Sequence, residues 1–535
     1  MSTLIYNANV YVQRGQFAQA LLIGDDGKIA AVGTEEEVRA ACTGAEELFD
    51  AKGRTIVPGF NDSHQHLFNT GIALAAVRLQ GVTSIAEVIE RSRRYIEENQ
   101  PQLGEVIHGM GWNQDYFTDE HRLLTRHDLD KISTEHPIIF DRACGHILTC
   151  NTKALEMAGV TVDTVPNAGG AIDQVNGELT GVFRENARAQ IRCLMSERSL
   201  ETKKRLLRTA IKHANETGVT SVQTCDVRLG DWESTLEAYN QVLTETPTLR
   251  AYHQFSFMEP KGFQAFLDKG YHMGVGNDFN RIGPLKLFVD GSLGARTAYM
   301  REPYADDPTT HGIPTLTEEE IDTLVGMAVK HNTGVAIHAI GDAAIENVLN
   351  AYDKVCENGQ NPLRLGIVHV QITDRPLLER FTKNDILALV QPIFLHYDTG
   401  IVEDRVGKEL AATSYAFKTL MDLGVHTSFG TDSPVEDMDP IANIYCAVTR
   451  QNLRGEPAGG FHPEECVDIY SAVDAYTVES AYASFEEKVK GRLMKGYFAD
   501  LVVLSDNIFT VAPNDILKVK VDDTMVNGRF VYHRA

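Results

Sequence analysis

The chain has 535 residues, 43% hydrophobic and 23% charged, with 50 basic against 74 acidic side chains for a formal net charge of −24. That length and composition fit a large globular domain with a smaller satellite. The acidic excess argues against a nucleic-acid-binding surface, and no apolar run approaches the roughly 20 residues of a membrane span.

Residues 1–8 hold no basic stretch followed by an apolar core, so no secretory leader is expected. Segments 20–24 and 28–32 flank Asp25-Asp26-Gly27, a hairpin signal. Strand-like runs return at 500–504 and 518–521, and a turn at Asn527-Gly528 leads into 529–532. Neither end can bury a core alone, so 1–57 and 490–535 are expected to share one small β-sandwich. Between them, 58–489 alternates strand and helix. Strand candidates are 55–58, 219–223, 251–257, 285–289, 335–338, 365–368, 386–391 and 426–429. Helical stretches include 202–217, 317–331 and 343–357, and Thr317-x-x-Glu320 is a capping box. Eight strands with helices between most of them predict an α/β fold, a (β/α)₈ TIM-like barrel. The first two strands are unusually far apart, so 68–200 reads as a large insertion after strand one. Loops after barrel strands lie on the catalytic face, so this cap is expected over the active site. The eight cysteines lack C-x-x-C pairs and read as reduced, mostly buried thiols in a cytoplasmic protein.

The chemistry gathers at strand ends. His64 and His66 close an apolar run at i and i+2, so on a strand both imidazoles leave the same face. Imidazole is the commonest protein ligand for zinc-like metals. Lys286 lies within 284–292, His338 ends 335–338, His369 ends 365–369, and Asp432 follows 426–429. Each has a blander reading: a lone strand histidine is more often structural, Lys286 could pair with Asp290, and Asp432 could cap a turn. Asp342 either holds His338 or caps the following helix. In the insertion, Trp112 could wall a substrate, and Arg142 and His146 could orient one. Internal packing and salt-bridging of the cap explain these three about as well.

Together these segments resemble the amidohydrolase superfamily. They are most similar to its amidohydrolase-3, YtcJ-like branch, which includes N-substituted formamide deformylase. The resemblance rests on the P-G-F-x-D-x-H-x-H opening, Lys286 in K-x-x-x-D-G-S, H-A-x-G-D at His338, G-T-D-x-P at Asp432, and a G-x-x-A-D-L-V-V-L return at 496–504. It implies a divalent, zinc-type centre of one or two ions per chain. His64, His66 and Asp432 would hold the buried ion, His338 and His369 the second, and Lys286, carboxylated by CO₂, would bridge them. It further implies a small-molecule substrate and, as in many family members, a homodimer. The expected activity is hydrolysis of a non-peptide C–N bond, amide or formamide, by a metal-activated hydroxide, with Asp432 as general base then acid. Two alternatives stay open: a one-metal deaminase of a cyclic amidine, and a non-catalytic scaffold.

Overall fold

The computed structural model describes residues 2–142, 147–167, 169–195, 198–356 and 358–535. They form two compact units, Met1–Thr70 with Leu207–Ala535, and Gly71–Leu206.

In the first unit eight parallel strands form a nearly closed barrel. Strands one to eight are Phe60–Gln65, Val219–Thr224, Arg250–Phe255, Asn280–Phe288, Val335–Ala339, Gly366–His369, Leu387–Val390 and Thr427–Phe429. Seven parallel ladders join them in chain order. Strands one and eight meet through their ends, where Asp432 N donates to His64 O and His66 N to Ser433 O, both at 2.8 Å. Gly430 permits this approach, because a Cβ there would lie 2.7 Å from His64 N. The connecting helices follow the sequence signals. Helix Glu318–Lys330 starts at Thr317, whose side chain and that of Glu320 complete the reciprocal cap.

The two chain ends build the sandwich. One sheet orders Ile29–Gly33, Ala20–Ile23, Thr3–Tyr6 and Glu47–Asp50. The other orders Arg529–His533, Val521–Val526, Leu501–Leu504, Thr55–Pro58, Asn9–Gln13 and Gln16–Ala18. Their shared core holds Ile5, Leu21, Ile23 and Ile29 from one sheet and Ile56, Leu501, Val503 and Met525 from the other. Alternate residues of Leu501–Leu504 enter it, as a strand period of two requires.

Two sequence expectations need correcting. Segment 55–58 does not open the barrel: Thr55–Pro58 pairs with Leu501–Leu504 and Asn9–Gln13 in the sandwich. Both neighbouring runs are buried, so hydrophobicity alone does not separate them. Gly59 divides them, and a Cβ there would lie 2.1 Å from Thr220 Oγ1. At the other end, 513–518 is a 3₁₀ turn and the strand starts at Val521.

The inserted unit has its own six-stranded sheet, ordered Gly170–Val175, Glu178–Glu185, Ile147–Cys150, Ile138–Arg142, Ile107–Trp112 and Val77–Arg78. Ile138 and Phe140 pack in one core with Trp112 and Val88, while Ile139 faces a second core with Leu148 and Phe183. The sheet is therefore covered on both faces.

The seven described cysteines form no disulfide. Only Cys150, Cys225 and Cys446 are buried and Cys193 is exposed, so "mostly buried" is too broad. Among the described residues no helix is long and apolar enough to cross a membrane.

Candidate metal centre

Strand one delivers His64 from inside the ladder and His66 one residue past its end. Their rings stand 5.4 Å apart, and Nε2 of each faces Asp432 Oδ1, at 3.4 Å from His64 and 3.2 Å from His66. Donor atoms of His64, His66 and Asp432 all lie within 4.8 Å of one another, a group that could hold a metal ion. Asp62 locks this corner. Its buried carboxylate accepts from Thr431 N (3.1 Å), the Thr431 hydroxyl and His64 N (3.3 Å), tying strand one to the Asp432 turn. Asp432 itself sits at φ 55°, a left-handed backbone rarely held by a non-glycine residue without a purpose.

The ring tautomers are set by acceptors. His64 Nδ1 meets Gln254 Oε1 at 2.5 Å, and Gln254 is anchored through its own N–H to Ser63 O at 3.0 Å. His66 Nδ1 donates to Cys225 O at 3.0 Å. His369 Nδ1 meets Gln391 Oε1 at 2.7 Å, with Gln391 fixed to Leu389 O at 3.1 Å. An oxygen acceptor puts the proton on Nδ1 of His64 and His369, so these two rings present the Nε2 lone pair, whereas His66 Nδ1 also meets the donor Arg228 Nη2 at 3.1 Å. His338 is reversed: its Nε2 faces Gly291 O at 3.0 Å and Asp290 Oδ1 at 3.2 Å, leaving Nδ1 to present. The rings form a connected group, His64 to His369 at 5.6 Å and His369 to His338 at 4.5 Å.

Lys286 is fully buried on strand four. Its Nζ donates to Leu287 O at 3.3 Å and lies 3.9 Å from the Phe288 ring centroid. The competing pairing with Asp290 does not form. Asp290 is taken by Ile340 N, Gly341 N and Tyr299 N at 2.8–3.3 Å. Burial pulls the Lys286 ammonium down to about 8, towards the neutral amine.

The donor chemistry fits a divalent cation. Asp432 Oδ1 is buried and faces the Nε2 atoms of two imidazoles, and beside it the His66 imidazole, though burial lowers it, is pushed up to about 10 by Asp432 and the Cys225 carbonyl in the metal-free chain. Burial alone would raise the Asp432 carboxyl, but His66 and then His64 and His369 hold it below the usual carboxylate range. Burial lowers His64 and His369 well below an ordinary histidine, so both stay neutral, as ligation requires.

The second-tier residues fare differently. Trp112 has no exposed surface and packs in the insertion's core on Phe117, so packing claims it and the substrate-wall role is corrected. Arg142 donates through Nε to Gln114 Oε1 (2.8 Å) and through Nη2 to Asn113 Oδ1 (2.7 Å) and Asp115 Oδ2 (3.1 Å), so three of its N–H groups hold the insertion together. His146 lies outside the described residues. Asp342 does not reach His338; it accepts from Arg301 N and Ala343 N at 2.9 Å in the first turn of its helix. Asp290 takes the supporting role instead. Sequence reasoning also missed Asp62, Gln254 and Gln391. The two glutamines sit on or just past strands three and seven, which carry none of the six proposed ligands, and a polar residue ending a buried strand was the signal.

Comparison with known proteins identifies the family. The amidohydrolase family profile matches residues 47–532. YtcJ of Bacillus subtilis (strain 168) is 31% identical, over 98% of both chains. N-substituted formamide deformylase of Arthrobacter pascens is 28% identical, over 99% of this chain and 98% of its own. The crystal structure of an uncharacterized metal-dependent hydrolase from Pyrococcus furiosus superposes with a TM-score of 0.80 at 29% identity, covering 95% of this chain and all of that one. With its barrel, its end-built sandwich and this match along nearly its whole length, the chain belongs to the amidohydrolase family.

Proposed function

We propose that this chain is a metal-dependent hydrolase cleaving the C–N bond of a small amide or formamide. The observation that carries the reading is the convergence of His64, His66 and Asp432 around a carboxylate oxygen that has no hydrogen bond. In this reading those three would hold one zinc-type ion, and His338 and His369 would hold a second. Lys286 would serve both once carboxylated. Its neutral amine would attack CO₂, forming an N–C bond and releasing one proton, and the carbamate would offer one negative charge shared by two oxygens. Burial and the absence of a carboxylate partner among the described residues favour that reaction.

When bound, the ion supplies an acidified water, with a pKa lowered from about 15.7 to roughly 7, and polarises the substrate carbonyl. Asp432, kept anionic chiefly by His66, takes a proton from the attacking water. As the C–N bond breaks, Asp432 passes that proton to the departing nitrogen, so the products are a carboxylic acid and an amine. Gln254 and Gln391 keep the rings aimed.

The test is metal content and hydrolysis of neutral N-formyl amines by protein loaded with zinc, manganese or nickel. Changing both His64 and His66 to alanine in a folded chain is expected to remove both, and undiminished turnover in that variant would sink the reading. A one-ion deaminase is the second reading, because among the described residues only His64, His66 and Asp432 draw together tightly enough to form a compact group. One ion per chain, an unmodified Lys286 by mass spectrometry and turnover of a cyclic amidine would favour it.

A further inference from the structure

A pocket of about 260 Å³ adjoins the candidate metal centre. Three of its lining residues are tied to proposed ligands: Gln371 stands two residues past His369, Val435 three past Asp432, and the Phe394 ring stacks on His369 at 5.9 Å. Gln371 is 3% exposed, and its side-chain amide, which makes no hydrogen bond among the described residues, opens onto the pocket. The amide keeps contact with the pocket space and is free to pair with what fills it.

The same pocket gathers two carboxyl groups. Asp398 uses one oxygen to accept the Tyr415 hydroxyl at 2.7 Å. Glu436 has no hydrogen-bond or ion-pair partner among the described residues. Burial pushes Asp398 up to about 6, and burial with Asp398 and Asp437 nearby pushes Glu436 up to about 7. Arg405, which reaches the rim at Gly294 O, is committed to Asp306. Between polar groups the lining is hydrocarbon and aromatic. Tyr397 is 71% and Val435 66% exposed, so large apolar side chains stand open to solvent beside the two half-buried carboxyl groups.

We infer that this pocket is a substrate subsite in which Gln371 takes the amide end and Asp398 with Glu436 take a positively charged group on a short hydrocarbon spacer, so that the preferred substrate is a mono-N-formyl or mono-N-acyl diamine. A cationic group relieves the repulsion between the carboxylates, lies well against the faces of Phe394 and Tyr397, and leaves an anionic analogue rejected. The inference rests on the amide-hydrolase reading above and names its substrate class.

Calorimetry on the metal-loaded protein compares 1,4-diaminobutane with butylamine, and turnover compares N-formyl-1,4-diaminobutane with N-formylbutylamine. The diamine is expected to bind about tenfold or more tightly, the scale of one charge-assisted hydrogen bond. Glu436→Gln removes about that factor, and Glu436→Lys turns the preference against the diamine; neither breaks a hydrogen bond of the fold. Equal binding of the two amines, or an unchanged preference in both variants, overturns the subsite. Hydrolysis of N-formylbutylamine without preference for its amine-bearing analogue overturns the subsite and leaves the hydrolase reading standing. Diamine binding that depends on Glu436, with neither formamide hydrolysed, supports the subsite and sinks the hydrolase reading.

Discussion

Two regions of the first unit bury charge, and they do it in opposite ways. Where barrel meets sandwich, Arg250 and Asp500 are 2% and 6% exposed and joined at 2.6 and 3.1 Å. The remaining groups are nearly all used: Arg250 also donates to Asp278 O at 3.0 Å, Asp500 accepts from Asn527 N at 2.8 Å, and the guanidinium lies 3.8 Å from the Phe498 ring centroid. Along strand one and past the end of strand eight, the side chains of Asn61, Ser63 and Gln65 and the Oδ1 of Asp432 are buried without hydrogen bonds. His369 and Asp432 also hold left-handed backbones, φ 82° and 55°. Satisfied buried polarity fixes architecture. Unsatisfied polarity on strained backbone is kept only where something other than stability needs it.

The contrast breaks most sharply at Asp432. Asp432→Asn is expected to lower turnover about a thousandfold or more and to reduce bound metal by elemental analysis. The urea midpoint of the metal-free protein should not fall, because an awkward buried charge has gone. Arg250→Met should do the reverse. It strands Asp500 in the seam at a cost of about 3–5 kcal/mol in denaturant unfolding, while metal per folded chain is unchanged. Adding Asp500→Leu should return much of the loss. Gln391→Ala sharpens the comparison by freeing the His369 ring alone, and metal affinity by competition dialysis should drop roughly 10–100-fold. The smallest effect belongs to Thr317→Ala, which removes an exposed helix cap, costs about 1 kcal/mol and leaves activity untouched.

Much of this was legible in the sequence. The barrel could be read because strand and helix alternate with distinct periods, and the end-built sandwich because neither terminus has enough apolar residues to stand alone. The six metal-type residues drew notice because histidine, lysine and aspartate are out of place at the ends of buried runs, and the structure gathers them at one end of the strands. The supporting layer was harder. Asp342 is the aspartate that follows His338 in the chain, and only the three-dimensional path of the loop after strand four shows that Asp290 reaches its Nε2 instead. Gln254 and Gln391 act on ligands of other strands, so no local pattern pairs them. Trp112 looked like a ligand wall because aromatic residues serve both cores and pockets, and composition does not tell them apart.

The shared sandwich also sets an order of events during synthesis. Ile56 pairs with Val503, so roughly 450 residues must be added before that ladder can form. At about 5–20 residues per second the ribosome needs on the order of half a minute to a minute and a half for that stretch. Throughout that interval the edge of Thr55–Pro58 lacks its later neighbour, an invitation to stray pairing with other nascent chains. Chaperone demand should therefore fall mainly on the earliest part of the polypeptide, while the barrel grows behind it.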